Sequence, residues 1–174
     1  MVGLRKGHSY TNVKRAYTRR SKYKVKGYIK AIPASKLVRY DMGDTKKIFP
    51  YCVHLINRDP IQVRHNSLES GRLVVSRRLG IVLGNNYYFK IRVYPHHVLR
   101  ENKMITGAGA DRMQTGMQRA FGRPVGIAAQ LKKGQILFTV HVEESAVQTA
   151  KDALHRAMPR LPGRYSIEVE KVSA

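Results

Sequence analysis

Residues 87–94 read Tyr-Tyr-Phe-Lys-Ile-Arg-Val-Tyr, and this alternation decides the fold class. Phenylalanine, isoleucine and valine take every second position, and Lys90 and Arg92 stand between them. Successive side chains of a strand point to opposite faces, so the pattern predicts a half-buried strand with a basic outer face. Pro95 ends the strand because proline cannot donate to a sheet ladder. A sheet with one face on a core is therefore expected.

Further strands are predicted on both sides of this stretch. Residues 136–142 and 165–172 are rich in β-branched and aromatic residues, and the second run places Ile167 and Val169 inward. Residues 49–56 permit another strand. Strands without long crossover connections favour antiparallel pairing.

Two helices are also predicted. Asn66 and Glu69 are spaced as in a capping box, which predicts a helix that begins there and ends at Leu79, before Gly80. Ser145 is the expected N-cap of the second helix. The apolar face of the first helix consists of Leu68, Val75 and Leu79. The narrow apolar face of the second helix consists of Val147, Ala150, Leu154 and Met158.

The order of these elements predicts a single α+β domain with a mostly antiparallel sheet and two main helices. We assign residues 31–172 to this core domain and residues 1–30 to a basic N-terminal arm. Residues 104–123 contain four glycines and no sustained alternation, which indicates a long loop. Loops of this length inside a domain are usually functional or disordered, and glycines allow close approach to a ligand.

The charge of the chain is large and unevenly distributed. It has 33 Lys plus Arg against 11 Asp plus Glu, a formal net charge of +22. Residues 1–40 contain twelve basic residues and no acidic one, whereas residues 143–174 contain five of each. The excess therefore lies before residue 143. Such a distribution predicts a polyanionic partner and a broad contact surface that leaves the C-terminal part out.

The arm alternates basic residues with tyrosines, a texture typical of RNA-binding segments. Lysine and arginine neutralise phosphates, and tyrosine rings stack on unpaired bases. With little apolar area to bury, the arm is expected to be extended and to order only against nucleic acid; a solvated tail without a partner is the alternative. The arm residues assigned to RNA binding are Lys14, Arg15, Arg19, Arg20, Lys22, Tyr23, Lys24 and Lys26. The core residues assigned to the same surface are Arg72, Arg77, Arg78, Lys90 and Arg92.

No constellation typical of an enzyme or a metal site is found in the sequence. Cys52 is the only cysteine, so neither an intrachain disulfide nor a zinc site built on paired cysteines can form. His54 would share a strand face with Cys52, which weakly permits a Cys–His pair, but a lone buried cysteine is far more common. His96 and His97 are adjacent and would point to opposite faces, so a structural or RNA-contacting role is favoured over metal binding. No cofactor, metal or catalytic residue is expected.

Targeting signals are also not expected. The longest run without a charged residue, 79–89, has eleven residues, whereas a membrane span needs about 20 apolar ones. No apolar stretch follows the basic N-terminus, so we expect neither a membrane helix nor a secretory signal. An intracellular, reducing location is the simplest expectation.

Four motifs carry a resemblance to a known family. The loop sequence GADRMQTGM at 109–117, followed by AFGRP at 120–124, resembles the loop signature of the large-subunit ribosomal protein L-sixteen family. The similarity is greater to its archaeal and eukaryotic branch, L-ten-e. SLESGR at 67–72, RVYPHHV at 92–98 and PGR at 162–164 resemble further family segments. Together the similar segments span roughly residues 30–172.

The resemblance implies a cytoplasmic, non-enzymatic protein of the large ribosomal subunit with an α/β-hammerhead-type core. It implies binding to large-subunit rRNA beside neighbouring ribosomal proteins, with no membrane and no small-molecule substrate. The loop would face tRNA near the peptidyl-transferase region and help to position it. By position, the residues of that loop are Arg112, Met113, Gln114, Thr115, Gly116, Met117, Gln118, Arg119, Phe121 and Arg123.

Two alternatives share the same charge. One is an RNA-binding protein or RNA chaperone of ribosome assembly that contacts ribosomes only transiently. The other is an RNA-modifying enzyme that uses Asp111 or the Cys52–His54 pair, although the sequence offers no cofactor pocket for it. Resistance to high-salt washing separates a stably embedded protein from a weak binder.

Overall fold

The structure, a computed structural model, describes residues 5–13, 29–102 and 122–172. These residues form eight strands, two α-helices and three short 3-10 helices. The strands are β1 (Asp41–Gly43), β2 (Tyr51–Asn57), β3 (Ile61–Arg64), β4 (Tyr88–Ile91), β5 (His97–Glu101), β6 (Arg123–Leu131), β7 (Ile136–Val142) and β8 (Tyr165–Lys171). The helices are α1 (His65–Leu83) and α2 (Val147–Ala157), and the 3-10 helices are Gly7–Tyr10, Glu144–Ala146 and Met158–Arg160.

The strands form two sheets in which every described pairing is antiparallel. The larger sheet has five strands in the order β1-β4-β7-β2-β8, and the smaller has three in the order β3-β6-β5. In the centre of the larger sheet, Val53 lies opposite Val140 and Leu55 opposite Phe138. The predicted α+β class with mostly antiparallel pairing is confirmed.

The core lies between the two helices and one face of the five-stranded sheet. Leu68, Val75 and Leu79 are fully buried, so the predicted apolar face of α1 is confirmed. Across from them, the Phe138 ring meets the Phe89 ring edge-on, with centroids 5.4 Å apart. In α2, Ala150 and Leu154 are fully buried, and Val147 and Met158 pack at the margin of the core as predicted.

The predicted start of α1 is wrong. The chain runs from β3 straight into the helix, which begins at His65, so the extended Arg64 occupies the N-cap position and provides no side-chain cap. Asn66 is helical, and its buried Oδ1 has no hydrogen-bond partner among the described residues. Glu69 accepts hydrogen bonds from Arg72 instead of closing a capping box.

The predicted end of α1 is also displaced, by one turn. The helix continues through Gly80 to Leu83 and ends at Gly84, which has φ +60° and donates its N–H to the Gly80 carbonyl. Gly84 can adopt this left-handed angle because it has no Cβ. In α2, Ser145 does not act as the N-cap: it lies in a preceding 3-10 turn, and Ala146 stands before the helix without a side-chain cap.

The strand predictions hold to different degrees. The strand predicted over 136–142 matches β7, and β4 keeps the predicted alternation although its ladder ends at Ile91. In β8, Ile167 packs against the core, but Val169 is 40% exposed because β8 is an edge strand with a neighbour on one side only. Neither β1 nor the three-stranded sheet is predicted from the sequence, and Arg123, placed in the loop, begins β6.

Candidate nucleic-acid interface

The face of the five-stranded sheet turned away from the helices is polar. The register places Lys90 and His54 on either side of Thr139 in one row, and Tyr88 and Cys52 on either side of His141 in the next. We call this the polar sheet face. Its members are Asp41, Cys52, His54, Tyr88, Lys90, Arg92, Thr139, His141, Glu168 and Glu170.

Lys90 and Arg92 project from the polar sheet face, so the basic outer face predicted for this strand is confirmed. The Lys90 Nζ lies 3.7 Å from the Asp41 carboxylate, an exposed and therefore weak ion pair. Arg92 is exposed and donates its Nε to the Thr139 Oγ1 over 3.1 Å. This bond holds the guanidinium at the surface without neutralising its charge.

The polar sheet face also contains a Cys–His contact, but not the one suggested by the sequence. The Cys52 Sγ lies 2.9 Å from the Nδ1 of His141 on β7. His54 instead bonds Thr139 at 3.0 Å and lies 3.4 Å from Glu170. Burial is the main reason that the pKa of the Cys52 thiol is raised and that of His141 is lowered. Both shifts favour the neutral forms, so this pair is not an activated thiolate.

The arginines of α1 lie on the other side of the sheet. The Arg72 guanidinium, whose side chain is only 13% exposed, donates its Nε to Glu69 over 2.8 Å, and this bond raises its pKa. Arg78 donates to Asp152 over 3.0 Å. Arg77 is exposed and has no ion pair among the described residues. The five basic core residues assigned to RNA binding therefore form two separate groups on opposite faces.

The described part of the N-terminal arm contacts the three-stranded sheet. The Gln62 N–H donates to the Thr11 carbonyl over 2.9 Å, and its Nε2 donates to the Tyr10 carbonyl over 2.8 Å. Arg64 donates to the Arg5 carbonyl over 3.1 Å and lies over the Tyr10 ring. Residues 5–13 thus have contacts without nucleic acid, contrary to the expectation for the whole arm. Outside the described residues lie Lys14, Arg15, Arg19, Arg20, Lys22, Tyr23, Lys24 and Lys26.

Most of the predicted tRNA-facing loop also lies outside the described residues. Of the residues assigned to tRNA contact, only Arg123 is described: it is exposed at the start of β6, opposite Glu101 at the end of β5. The segment between these residues therefore connects neighbouring antiparallel strands. The undescribed loop residues are Arg112, Met113, Gln114, Thr115, Gly116, Met117, Gln118, Arg119 and Phe121.

An aromatic group that the sequence analysis did not assign as a site lies between β4 and β5. Tyr94 stacks on Tyr40 with centroids 5.6 Å apart and an interplanar angle of 19°, and His96 lies 4.6 Å from Tyr94 at 46°. Tyr94 and His96 are exposed, whereas His97 is half-buried, in line with the expectation that the two histidines point apart. The sequence signal that could have identified this group is the alternation of apolar residues with aromatic or polar ones, which continues beyond Val93.

Two classes of site are not found in the described ranges. No described helix is both long and apolar enough to cross a bilayer. Within residues 5–13, 29–102 and 122–172, no group of three or more His, Cys, Asp or Glu side chains could hold a metal ion.

The fold and its surface define, as a class, a strongly basic α+β protein with arginine and lysine on two faces. The sequence profile of the ribosomal protein L16p/L10e family matches residues 13–168, so the chain belongs to this family. It is 42% identical over 168 residues to the large ribosomal subunit protein uL16 of Methanosphaerula palustris, covering 95% of this chain and 94% of the relative. The protein of the same name from Methanocella arvoryzae is 45% identical over 157 residues, covering 90% and 88%.

A third relative, uL16 of Staphylothermus marinus, is 44% identical over 161 residues, covering 91% of this chain and 89% of its own. Family membership makes the chain a structural protein of the large ribosomal subunit. The predicted family, ribosomal location and non-enzymatic role are confirmed by these comparisons.

Proposed function

We propose that the protein binds large-subunit rRNA through its basic surfaces and helps to position tRNA through the segment between β5 and β6. The observation that supports this most is the uneven charge: the whole +22 excess lies before residue 143, and residues 1–40 contain twelve basic residues and no acidic one. Folded RNA is the polyanion that a large-subunit protein meets over a broad surface.

The mechanism is neutralisation and positioning. Exposed arginines displace counterions from RNA phosphates, and removing one such arginine should reduce the salt dependence of binding. Arg77 and Arg92 are the best suited to contact RNA phosphates, because both guanidiniums are exposed and neither forms an ion pair among the described residues. Arg72 has its guanidinium bound by Glu69, so RNA would compete with that carboxylate.

The test of rRNA binding compares single substitutions that each remove one positive charge. Arg77→Gln and Arg92→Gln should each reduce the slope of log K against log salt by about 0.7 to 0.9, measured by filter binding to purified large-subunit rRNA. Arg156→Gln is the matched control, since this arginine pairs with Asp152 in the neutral C-terminal part. An unchanged slope in both test variants would contradict rRNA binding by these two faces.

A second measurement separates stable from transient association. Lysates washed in about 0.5 M salt, where charge screening is short-ranged, are sedimented through sucrose. The tagged protein should remain stoichiometric with large subunits and translating ribosomes. Release to the top of the gradient would favour a transient assembly factor instead.

The proposed tRNA role has its own test. A deletion of residues 114–120 should leave subunits that assemble, because the β5–β6 pairing and the core lie outside the deletion. Those subunits should bind tRNA poorly or fail in final maturation. Translation at the normal rate by subunits with this deletion would refute the tRNA role without affecting rRNA binding.

A further inference from the structure

A polar cleft lies next to the exposed aromatic group and is lined by the β4–β5 connection, the three-stranded sheet and the β6–β7 turn. It has a volume of about 480 Å³, in the range of small-ligand sites. Three of its lining residues, Arg92, Tyr94 and His96, are exposed, and they alternate with buried Val93 and Pro95 along one extended segment. A cation and two aromatic rings therefore face the cleft side by side.

The tyrosine of this cleft is held in place from behind. The Tyr40 ring lies nearly parallel to Tyr94, and the Tyr40 hydroxyl is buried with no hydrogen-bond partner among the described residues. Burial, with a smaller contribution from Tyr94, raises the pKa of Tyr40 to about 12. The stacked and largely buried Tyr40 ring supports one face of Tyr94, so the exposed part of the Tyr94 ring is preorganised for stacking.

Two glutamines on the cleft wall offer complementary hydrogen-bonding groups. Gln62 must donate through Nε2 to the Tyr10 carbonyl, so its Oε1 accepts the bond from Gln130 Nε2 at 3.1 Å. The Oε1 of Gln130 then has no partner among the described residues. Gln135 accepts the Lys132 N–H with its Oε1 at 3.0 Å, which leaves its own NH₂ to donate. These hydrogen bonds, which lead back to backbone groups, thus fix the Gln130 Oε1 as an acceptor and the Gln135 NH₂ as a donor on the wall of the cleft.

We propose that this cleft binds one unpaired base of the ribosomal RNA. The base stacks on the exposed surface of Tyr94 and His96, and its edge bonds the carbonyl of Gln130 and the amine of Gln135. Arg92, whose Nε is held by Thr139, contacts the adjoining phosphate. Stacking on an aromatic ring is worth about 1–3 kcal/mol per base, and single-stranded elements are where proteins read RNA sequence. The inference rests on the proposed rRNA binding and names a specific site for it.

The charge of the surroundings favours RNA over a protein or a neutral small molecule. Arg92 is exposed beside the cleft and has no ion pair among the described residues, and Arg100 lies on the neighbouring β5. The net charge of +22 arises from the part of the sequence before residue 143, to which both arginines belong. A protein partner would need an acidic, aromatic-binding surface to fill the same cleft. An RNA nucleotide supplies the flat ring, the polar edge and the phosphate together.

The experiment probes rRNA in intact large subunits that carry the full-length protein. In subunits with Tyr94→Leu, one unpaired nucleotide should gain reactivity several-fold toward dimethyl sulfate or a 2′-hydroxyl acylating reagent. Tyr94→Phe keeps the ring and should preserve the protection. Tyr51→Leu is the matched control because it removes a half-buried tyrosine of β2, next to Lys171, that belongs neither to the cleft lining nor to the polar sheet face. It should leave that nucleotide protected.

A second variant guards against a folding defect. Gln135→Glu keeps an acceptor for the Lys132 N–H but removes the amine donor, and it should expose the same nucleotide more weakly. If neither variant changes any nucleotide while the salt slope of the wild-type protein shows rRNA binding, the cleft inference fails and the proposed function survives. Wild-type protein that shows no salt-dependent binding to rRNA would overturn both. Photocrosslinking from position 94 to a protein instead of rRNA would also overturn the inference.

Discussion

Two glycines of α1 provide a matched test of how closely the helix packs on the sheet. A Cβ added at Gly71 would lie 3.2 Å from Phe138 Cε2 and 3.3 Å from its Cζ, whereas one added at Gly80 would meet nothing within 4 Å. Alanine gains about 1 kcal/mol over glycine in a helix interior. Gly80→Ala should therefore stabilise the protein by about 0.5–1 kcal/mol.

Gly71→Ala gains the same helix propensity but must displace a ring that cannot move freely. Phe138 is fully buried and is held edge-on by Phe89. Overpacking of this kind costs about 1–3 kcal/mol, so the variant should be at best neutral and at worst destabilised by about 2 kcal/mol. The two variants should differ by about 1–3 kcal/mol, although the chemical change is identical.

Urea unfolding of the full-length protein, followed by circular dichroism, measures this difference. A second comparison tests its cause: in a Phe138→Leu background the ring is absent, so Gly71→Ala should become favourable relative to that background. Equal stabilisation by both alanines in the wild-type protein would refute the close helix–sheet packing inferred here. A Gly71→Ala penalty that persists without the ring would assign it to another contact.

Other predictions concern pH and turns. Burial is the first cause of the lowered pKa of three histidines, so the unfolded chain binds more protons than the folded one below their ordinary pKa of about 6.5. The free energy of unfolding should be constant just above that pH, fall as pH drops through the window below it, and level off beneath the folded pKa values. Urea titrations of the triple glutamine variant should show a shallower fall; an unchanged pH dependence would contradict the assignment. The three histidines are His65, His97 and His141. Gly43→Ala should destabilise more than Gly163→Ala in thermal melts. Both positions have φ near +90°, but the new Cβ would meet the Tyr87 carbonyl in the first case and the movable end of Ile61 in the second. Equal melting temperatures would refute this ranking.

Sequence patterns predicted elements with a clear periodicity or composition. The strand at 88–91 alternates because one side packs on the core, and α1 shows its buried stripe for the same reason. The strand at 136–142 was predicted from its β-branched and aromatic residues, since four consecutive positions in it are buried. Strand β6 was missed because Pro124 and Gly126 break its pattern and residues 126–129 are buried on both sides. The cap of α1 was mispredicted because the β3–α1 junction, a tertiary feature, leaves no room for a separate N-cap turn.

The sequence predicted that the candidate interface is basic, but not how its side chains are arranged in space. A count of basic residues finds Arg77 and Arg78 equally, yet only the fold brings Asp152 of α2 against Arg78. The cleft at Tyr94 depends on Gln130 and Gln135, which lie more than thirty residues away in sequence. Side chains that meet only through sheet pairing leave no local signal, so the cleft could not be predicted from spacing.

The docking of residues 5–13 onto β3 has a consequence for the newly made protein. An open strand edge offers unpaired N–H and C=O groups to any other extended chain, and such edges promote aggregation. The Thr11 carbonyl accepts a hydrogen bond from the Gln62 N–H, which points outward from the edge strand β3. Residues 5–13 therefore block part of that edge. At the far edge of the larger sheet, β8 carries Glu168, Glu170 and Lys171, charges that discourage a further strand from adding. Two sheet edges of the protein are therefore protected against pairing with other chains before it is bound in the subunit.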